Sequence, residues 1–304
     1  ADEGIRDLDS SLVGSEMCIR DSTAPRWWRP DMRPLISSPM PNDLTATGRQ
    51  HAWSWPLSDW DRMWKPSMWI RRPPEPHKAH IFHLLAIVAI ASYANVIANL
   101  VLDDAWHIPF NLGILAVALL IARRAGTTWT SMGLRQDRLK RGAIVGGTVI
   151  GVIAIGVAIA VAIPATRELF LQDRLVEESA GWLLFQALVR IPLATALYEE
   201  VLFRGIVFGM LVRRNSPIVA ALWTSLLFGF WHILPTFVTD PLDVDAGIIG
   251  LALTAFGAVA GTMAAGLGFL WVRLFANSTL AAVLAHIGTN SVSMLGAFVV
   301  IHVL

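Results

Sequence analysis

Beyond position 80 the chain alternates between long apolar runs and short polar stretches. The runs cover about 81–102, 106–122, 143–163, 182–212, 217–234, 247–272 and 278–302. A helix needs roughly 20 apolar residues to cross the hydrocarbon core, and these runs are close to that length or longer. They are continuous and not striped at the helical period, so each predicts a helix that is apolar all round, as lipid requires. The expected fold class is all-α: a polytopic membrane helix bundle of about seven transmembrane helices, preceded by a Trp-rich N-terminal tail.

The run 182–212 is long for a single span. At 1.5 Å per residue it extends about 46 Å, against a core of about 30 Å. Pro192 is expected to kink or break it, leaving the first part at the surface with Arg190 near the headgroups. Glycines spaced four apart, Gly142–Gly146, Gly147–Gly151 and Gly257–Gly261, predict close helix contacts.

Composition agrees with the pattern. Of 304 residues, 55% are hydrophobic and only 15% charged, where an ordinary soluble domain has roughly 25% charged. Residues 1–77 form a different region, polar and Pro-rich, with Trp53, Trp55, Trp60, Trp64 and Trp69 running toward Arg71 and Arg72. That composition is expected of a poorly ordered N-terminal extension with anchors at the headgroup level. Its first part, 1–22, contains "SSLVGSEMCIRDS", which resembles translated adapter sequence and is set aside as an artefact. The single cysteine, Cys18, lies there, so residues 78–304, the expected membrane domain, hold neither a disulfide nor a thiolate site.

Placed along the chain, the charges orient the bundle. The loop between Arg123 and Arg141 also carries Arg124, Arg135, Arg138 and Lys140 against one acid, Asp137; Arg213, Arg214 and Arg273 mark two further basic loops. Asp103 and Asp104, then Glu168, Asp173, Glu177 and Glu178, then Asp240, Asp243 and Asp245 occupy the alternate loops. The positive-inside rule then predicts a multi-pass protein of the cell membrane with its N-terminus cytoplasmic.

The polar residues inside the runs carry the chemistry. "LATALYEEVLFRGIVFGML" places Glu199, Glu200 and Arg204 near the middle of the fourth run. Glu200 and Arg204, four apart, share a helical face and can pair. Glu199 points about 100° away. A membrane carboxylate costs several kcal/mol unless paired, neutralised or facing water, so the arrangement predicts one acid held by Arg204 and one left for work. His232 follows Phe228 by four in the fifth run, and Asn290 follows His286 by four in the seventh. Counted from the basic-loop ends, Glu200 lies about 18 Å deep, His232 about 22 Å and His286 about 12 Å, so the three runs can meet in one cavity. A Glu–His pair can orient and deprotonate a water, and His with Asn can donate to an oxyanion. Together they suit amide hydrolysis by an activated water.

Other designs find no match. There is no H-E-x-x-H string, no G-x-S-G or G-x-G-D, no phosphate-binding glycine loop and no nucleic-acid motif. Ser225, Ser291 and Ser293 carry no nucleophile signature and are read as helix-interior hydroxyls bonding backbone.

"EEVLFR", "FGFWH" and "HIGTN" resemble, in order and on successive helices, the motifs E-E-x-x-x-R, F-x-x-x-H and H-x-x-x-N of the CPBP family, also called Abi or type II CAAX prenyl endopeptidase-like proteins. The resemblance covers about 180–304. It implies an all-helical intramembrane endopeptidase acting on a membrane-associated or lipidated protein. Carried over, Glu199 is the general base with His232 as its partner, Glu200 and Arg204 support the site, and His286 and Asn290 stabilise the oxyanion. The family is often described as metalloproteases. No pair here has the local spacing typical of zinc ligands, so a metal-free mechanism is favoured, with zinc on Glu199, His232 and His286 the alternative. The expected partners are membrane lipid and the protein substrate, not nucleic acid. Two other readings remain: a non-catalytic immunity or scaffold protein, and a proton-coupled transporter, against which the lack of a repeat-related polar set in the first three runs counts.

Overall fold

The computed structural model describes residues 78–172, 175–239 and 247–304. The expectations for the N-terminal extension 1–77 and for the acidic loop residues Asp173, Asp240, Asp243 and Asp245 fall outside these residues. The described chain is helical, with no strand among the described residues. Seven helices are long and apolar enough to cross a membrane: α1 His80–Leu100, α2 Asp104–Arg124, α3 Gln136–Ala162, α4 Ala180–Leu211, α5 Pro217–Val238, α6 Gly247–Ala276 and α7 Thr279–His302. They coincide with the seven apolar runs to within a few residues, except that α3 begins earlier, in the basic loop. The chain is a multi-pass membrane protein.

Burial explains the continuous apolar pattern. Large side chains such as Ile155, Trp223, Leu253 and Phe256 are exposed on the flanks of the long helices, where lipid is the natural solvent. The core forms around α4, whose residues from Tyr198 to Met210 are all buried. α2, α5 and α7 pack on α4, α6 packs on α5 and α7, and α3 lies against α7.

Two features differ from expectation. α4 does not break at Pro192; it continues through it as a π-helix over Gln186–Leu197, and widens again over Val201–Val207. In a π-helix residue i bonds the carbonyl of i−5, so the missing N–H of Pro192 orphans the carbonyl of Ala187. Ser291 of α7 donates its hydroxyl to that oxygen at 2.8 Å, and Asn111 of α2 donates to the carbonyl of Ala194 at 2.8 Å. Neighbouring helices thus hold the helix together where proline would interrupt it. The glycine pairs also divide. Gly142 and Gly146 lie directly against Ser278 and Leu284, so α3 approaches α7 closely, whereas Gly147, Gly151, Gly257 and Gly261 meet nothing.

The loop after α2 closes one end of the bundle. Thr127 and Met132 are fully buried, and Gly133 makes the turn at φ +69°. Thr279 clamps the loop, donating its hydroxyl to the Met132 carbonyl at 2.6 Å and its N–H to the Gly133 carbonyl at 2.9 Å. Arg273 donates to the Ser131 carbonyl and lies over the Phe208 ring, 4.8 Å from its centroid. Although it counts as a basic loop residue in the sequence, Arg273 is buried.

Candidate active site

Glu199, Glu200 and Arg204 sit where α4 is most enclosed. Arg204 Nη1 donates to Glu200 Oε1 at 2.9 Å, and both side chains are completely buried. The pairing expected from the four-residue spacing is therefore present. His286 joins it, with Nδ1 at 2.8 Å from the same Oε1. A carboxylate accepts, so Nδ1 carries the hydrogen. That leaves Nε2 of the neutral ring as an acceptor, and Asn290 Nδ2 donates to it at 3.1 Å. A chain of hydrogen bonds runs Arg204, Glu200, His286, Asn290 and ties α4 to α7.

Aromatic rings enclose this chain. The Arg204 guanidinium stands 3.8 Å over Phe228 and 5.4 Å from the centroid of Phe269. Phe269 stacks on His286 at 4.8 Å with an interplanar angle of 14°. Ring faces attract the cation and keep water from the ion pair. Gly266 makes the room: a Cβ there would stand 2.8 Å from Arg204 Nη2.

Glu199 belongs to a second pair. Its Oε2 lies 3.8 Å from His232 Nε2, outside direct hydrogen-bond distance. His232 Nδ1 is 2.8 Å from the Phe228 carbonyl. A carbonyl only accepts, so Nδ1 is protonated and, in the neutral ring, Nε2 offers its lone pair toward Glu199. The imidazole is further set by Phe228, edge-on at 4.4 Å. Its backbone is fixed too: α5 turns at His232, Asn95 of α1 donates to the Trp231 carbonyl at 2.9 Å, and Thr236 donates to the His232 carbonyl at 2.7 Å. Unlike Glu200 and Arg204, this pair keeps some exposure, 11% for the Glu199 side chain and 21% for that of His232.

All six residues expected at the site thus fall into two adjacent sets, with Phe228 touching Arg204, His232 and His286. The bond of His286 to Glu200 could not be read from spacing, because it crosses between helices. Asn95, Phe269 and Gly266 are further contributors with no sequence signal beyond being a polar residue, an aromatic and a glycine in apolar runs. Of the serines, Ser291 bonds backbone across to α4, whereas the Ser225 hydroxyl is buried without a hydrogen-bond partner.

The donors do not fit a zinc set of Glu199, His232 and His286. Both ring nitrogens of His286 are committed to Glu200 and Asn290, and among the described residues no three His, Cys, Asp or Glu side chains gather as metal ligands.

A cavity of about 320 Å³ reaches Asn290 from the side opposite the closed loop, between α4 and α7. Gln186, Arg190, Thr289 and Ser293 are among its lining residues. A π turn over Gly288–Val292 carries Thr289 and Asn290; such widened turns re-aim side chains and recur at functional sites.

The model of one protein family, type II CAAX prenyl endopeptidase Rce1-like, matches residues 181–292, the segment that holds all six residues. No curated protein and no solved structure matches the chain.

Proposed function

We propose, from the match of residues 181–292 to the type II CAAX prenyl endopeptidase Rce1-like model, that the chain is an intramembrane endopeptidase in which Glu199 and His232 activate a water. The observation that carries this reading is the fixed His232 tautomer opposite Glu199. Two acceptors then face one point. A water there donates one hydrogen to each, which leaves its lone pair for a carbonyl carbon. Glu199 takes the proton as the C–O bond forms and returns it to the departing amine as the C–N bond breaks. Asn290 has a second Nδ2–H beyond the one given to His286, and in this reading it donates to the oxyanion. With its ring committed, His286 acts by holding Asn290, and Glu200 with Arg204 holds His286. The substrate is a membrane-associated or lipidated protein, the partner surface is lipid, and the location is the cell membrane with the N-terminus cytoplasmic. No step uses a metal.

One observation favours a scaffold or immunity role instead. The chain from Arg204 to Asn290 also serves to fasten α4 to α7, which needs no catalysis. A proteomic comparison of cells making the intact protein or Glu199→Gln separates the two. The proteolytic reading expects a shortened membrane or lipidated protein only with the intact chain, and no effect of a chelator on its formation. Identical proteomes and an unchanged cellular phenotype for both Glu199→Gln and His232→Ala would sink it.

A further inference from the structure

The basic end of the bundle carries more positive charge than its helices need. α2 ends on Arg123 and Arg124, and Arg213 and Arg214 follow the end of α4. A helix C-terminus offers roughly half a negative charge, so the two helix ends offset about one of these four cations. No carboxylate makes up the difference. Among the described residues no acid pairs with Arg123, Arg124, Arg213 or Arg214, and Asp137 of the same basic end is taken by Arg135 at 2.7 Å and Arg138 at 3.5 Å.

These arginines are gathered and held. Arg213 Nη1 donates to the Ala125 carbonyl just past α2 at 3.0 Å, which brings its guanidinium beside the residue that follows Arg124. α1 meets the same place, since His80 Nε2 donates to the Met210 carbonyl near the end of α4 at 3.1 Å. Arg123 Nη1 donates to the Thr127 carbonyl at 2.7 Å, and its guanidinium stands 4.9 Å from the centroid of the Trp129 ring. Each of the two arginine bonds to backbone uses one of the several N–H donors of a guanidinium. Arg123, Arg124 and Arg213 are exposed, so their remaining donors can be reached from outside. Trp129 is 47% exposed beside them, and an exposed indole among arginines at the ends of membrane helices belongs at the headgroup level. That level presents phosphate, which guanidinium matches by charge and by paired N–H donors.

We infer that the junction of α2 and α4 at the basic end binds the phosphate of an anionic phospholipid through Arg124 and Arg213, with Arg123 and Trp129 beside it. The lipid bridges the ends of the two helices from outside and supplies the negative charge that this end lacks. The site does not rest on the proposed function, since a protease and a scaffold would hold the lipid in the same way.

The test uses the full chain purified in a neutral detergent and three probes: dioleoylphosphatidylglycerol, dioleoylphosphatidylcholine and inorganic phosphate. Binding is read by native mass spectrometry, and the unfolding temperature is measured with each probe. Phosphatidylglycerol is expected to bind about tenfold tighter than phosphatidylcholine, whose ammonium offsets its phosphate, and to raise the unfolding temperature as a ligand of the folded state does. Arg124→Gln and Arg213→Gln should each weaken phosphatidylglycerol by about fivefold or more, and Arg213→Lys should keep part of the affinity. Arg135→Gln removes the same charge from the same end, but from a residue already paired with Asp137, and should have little effect. Arg213→Gln also gives up the bond to Ala125; if it fails to fold, the exposed Arg124→Gln still reads the site. Equal binding of the two lipids would overturn the site. A loss in Arg135→Gln as large as in Arg124→Gln would also overturn it, because the affinity would then come from the diffuse charge of the whole face. Inorganic phosphate that raises the unfolding temperature as much as phosphatidylglycerol would overturn the assignment to lipid.

Discussion

Arg204 and Glu199 show how neighbouring ionisable residues take different parts in one apolar helix. Arg204 meets Glu200 and two aromatic faces with no exposure. Arg204→Leu leaves Glu200 buried with only His286, and breaking a buried pair costs about 3–5 kcal/mol. The variant should lose abundance and unfold at clearly lower temperature in detergent. Normal abundance and thermal stability would refute the pairing. Glu199→Gln keeps size and shape, and the contact it alters, with His232, is long at 3.8 Å, so its stability should stay near that of the parent while cleavage disappears. If Glu199 and His232 act on one water, combining Glu199→Gln with His232→Ala should cost little more than either change alone, because residues that act as a unit are not additive. Multiplicative losses in the double variant would assign them to separate steps.

At the scale of the element, α4 depends on its neighbours. Pro192 deprives the Ala187 carbonyl of its donor, and Ser291 supplies one from α7. Ser291→Ala removes that donor and leaves a buried carbonyl unpaired, at about 1–3 kcal/mol. The expected result is a lower unfolding temperature, with partial recovery in Ser291→Thr, which restores the hydroxyl; an unchanged unfolding temperature would show that Ala187 finds another donor. On α6, Gly266 gives Arg204 its space. Gly266→Ala should push the guanidinium from Phe228 and weaken both stability and activity, although alanine by itself favours a helix. A stabilised, fully active variant would contradict the close fit.

At the scale of the whole molecule, the closed and open ends of the bundle carry opposite charge. The loop sealed by Met132 and Thr279 lies at the basic end, and Arg190 and Asp104 lie toward the acidic end. The orientation proposed from these charges places Arg135 inside and Glu177 outside. In a Cys18→Ser background, a single cysteine at Glu177 should react with an impermeant reagent in intact cells, while one at Arg135 should react only after lysis. The reverse pattern would invert the orientation and place the cavity mouth on the cytoplasmic side.

What the sequence determined alone is whatever depends on local spacing and solvent. Seven apolar runs dictate seven lipid-facing helices, because a continuous run of about 20 apolar residues closes its own backbone hydrogen bonds as a helix, whereas a barrel needs shorter strands of alternating polarity. A four-residue interval dictates that Glu200 faces Arg204 and that Asn290 faces His286, because 3.6 residues make a turn. Tertiary structure decided the rest. The sequence does not say that His286 turns to Glu200, that the His232 ring gives its hydrogen to Phe228, or that Ser291 mends the helix at Pro192. Each of these bonds joins groups whose meeting depends on the packing or on the local course of the backbone, and buried polar atoms take the partners that packing brings within reach.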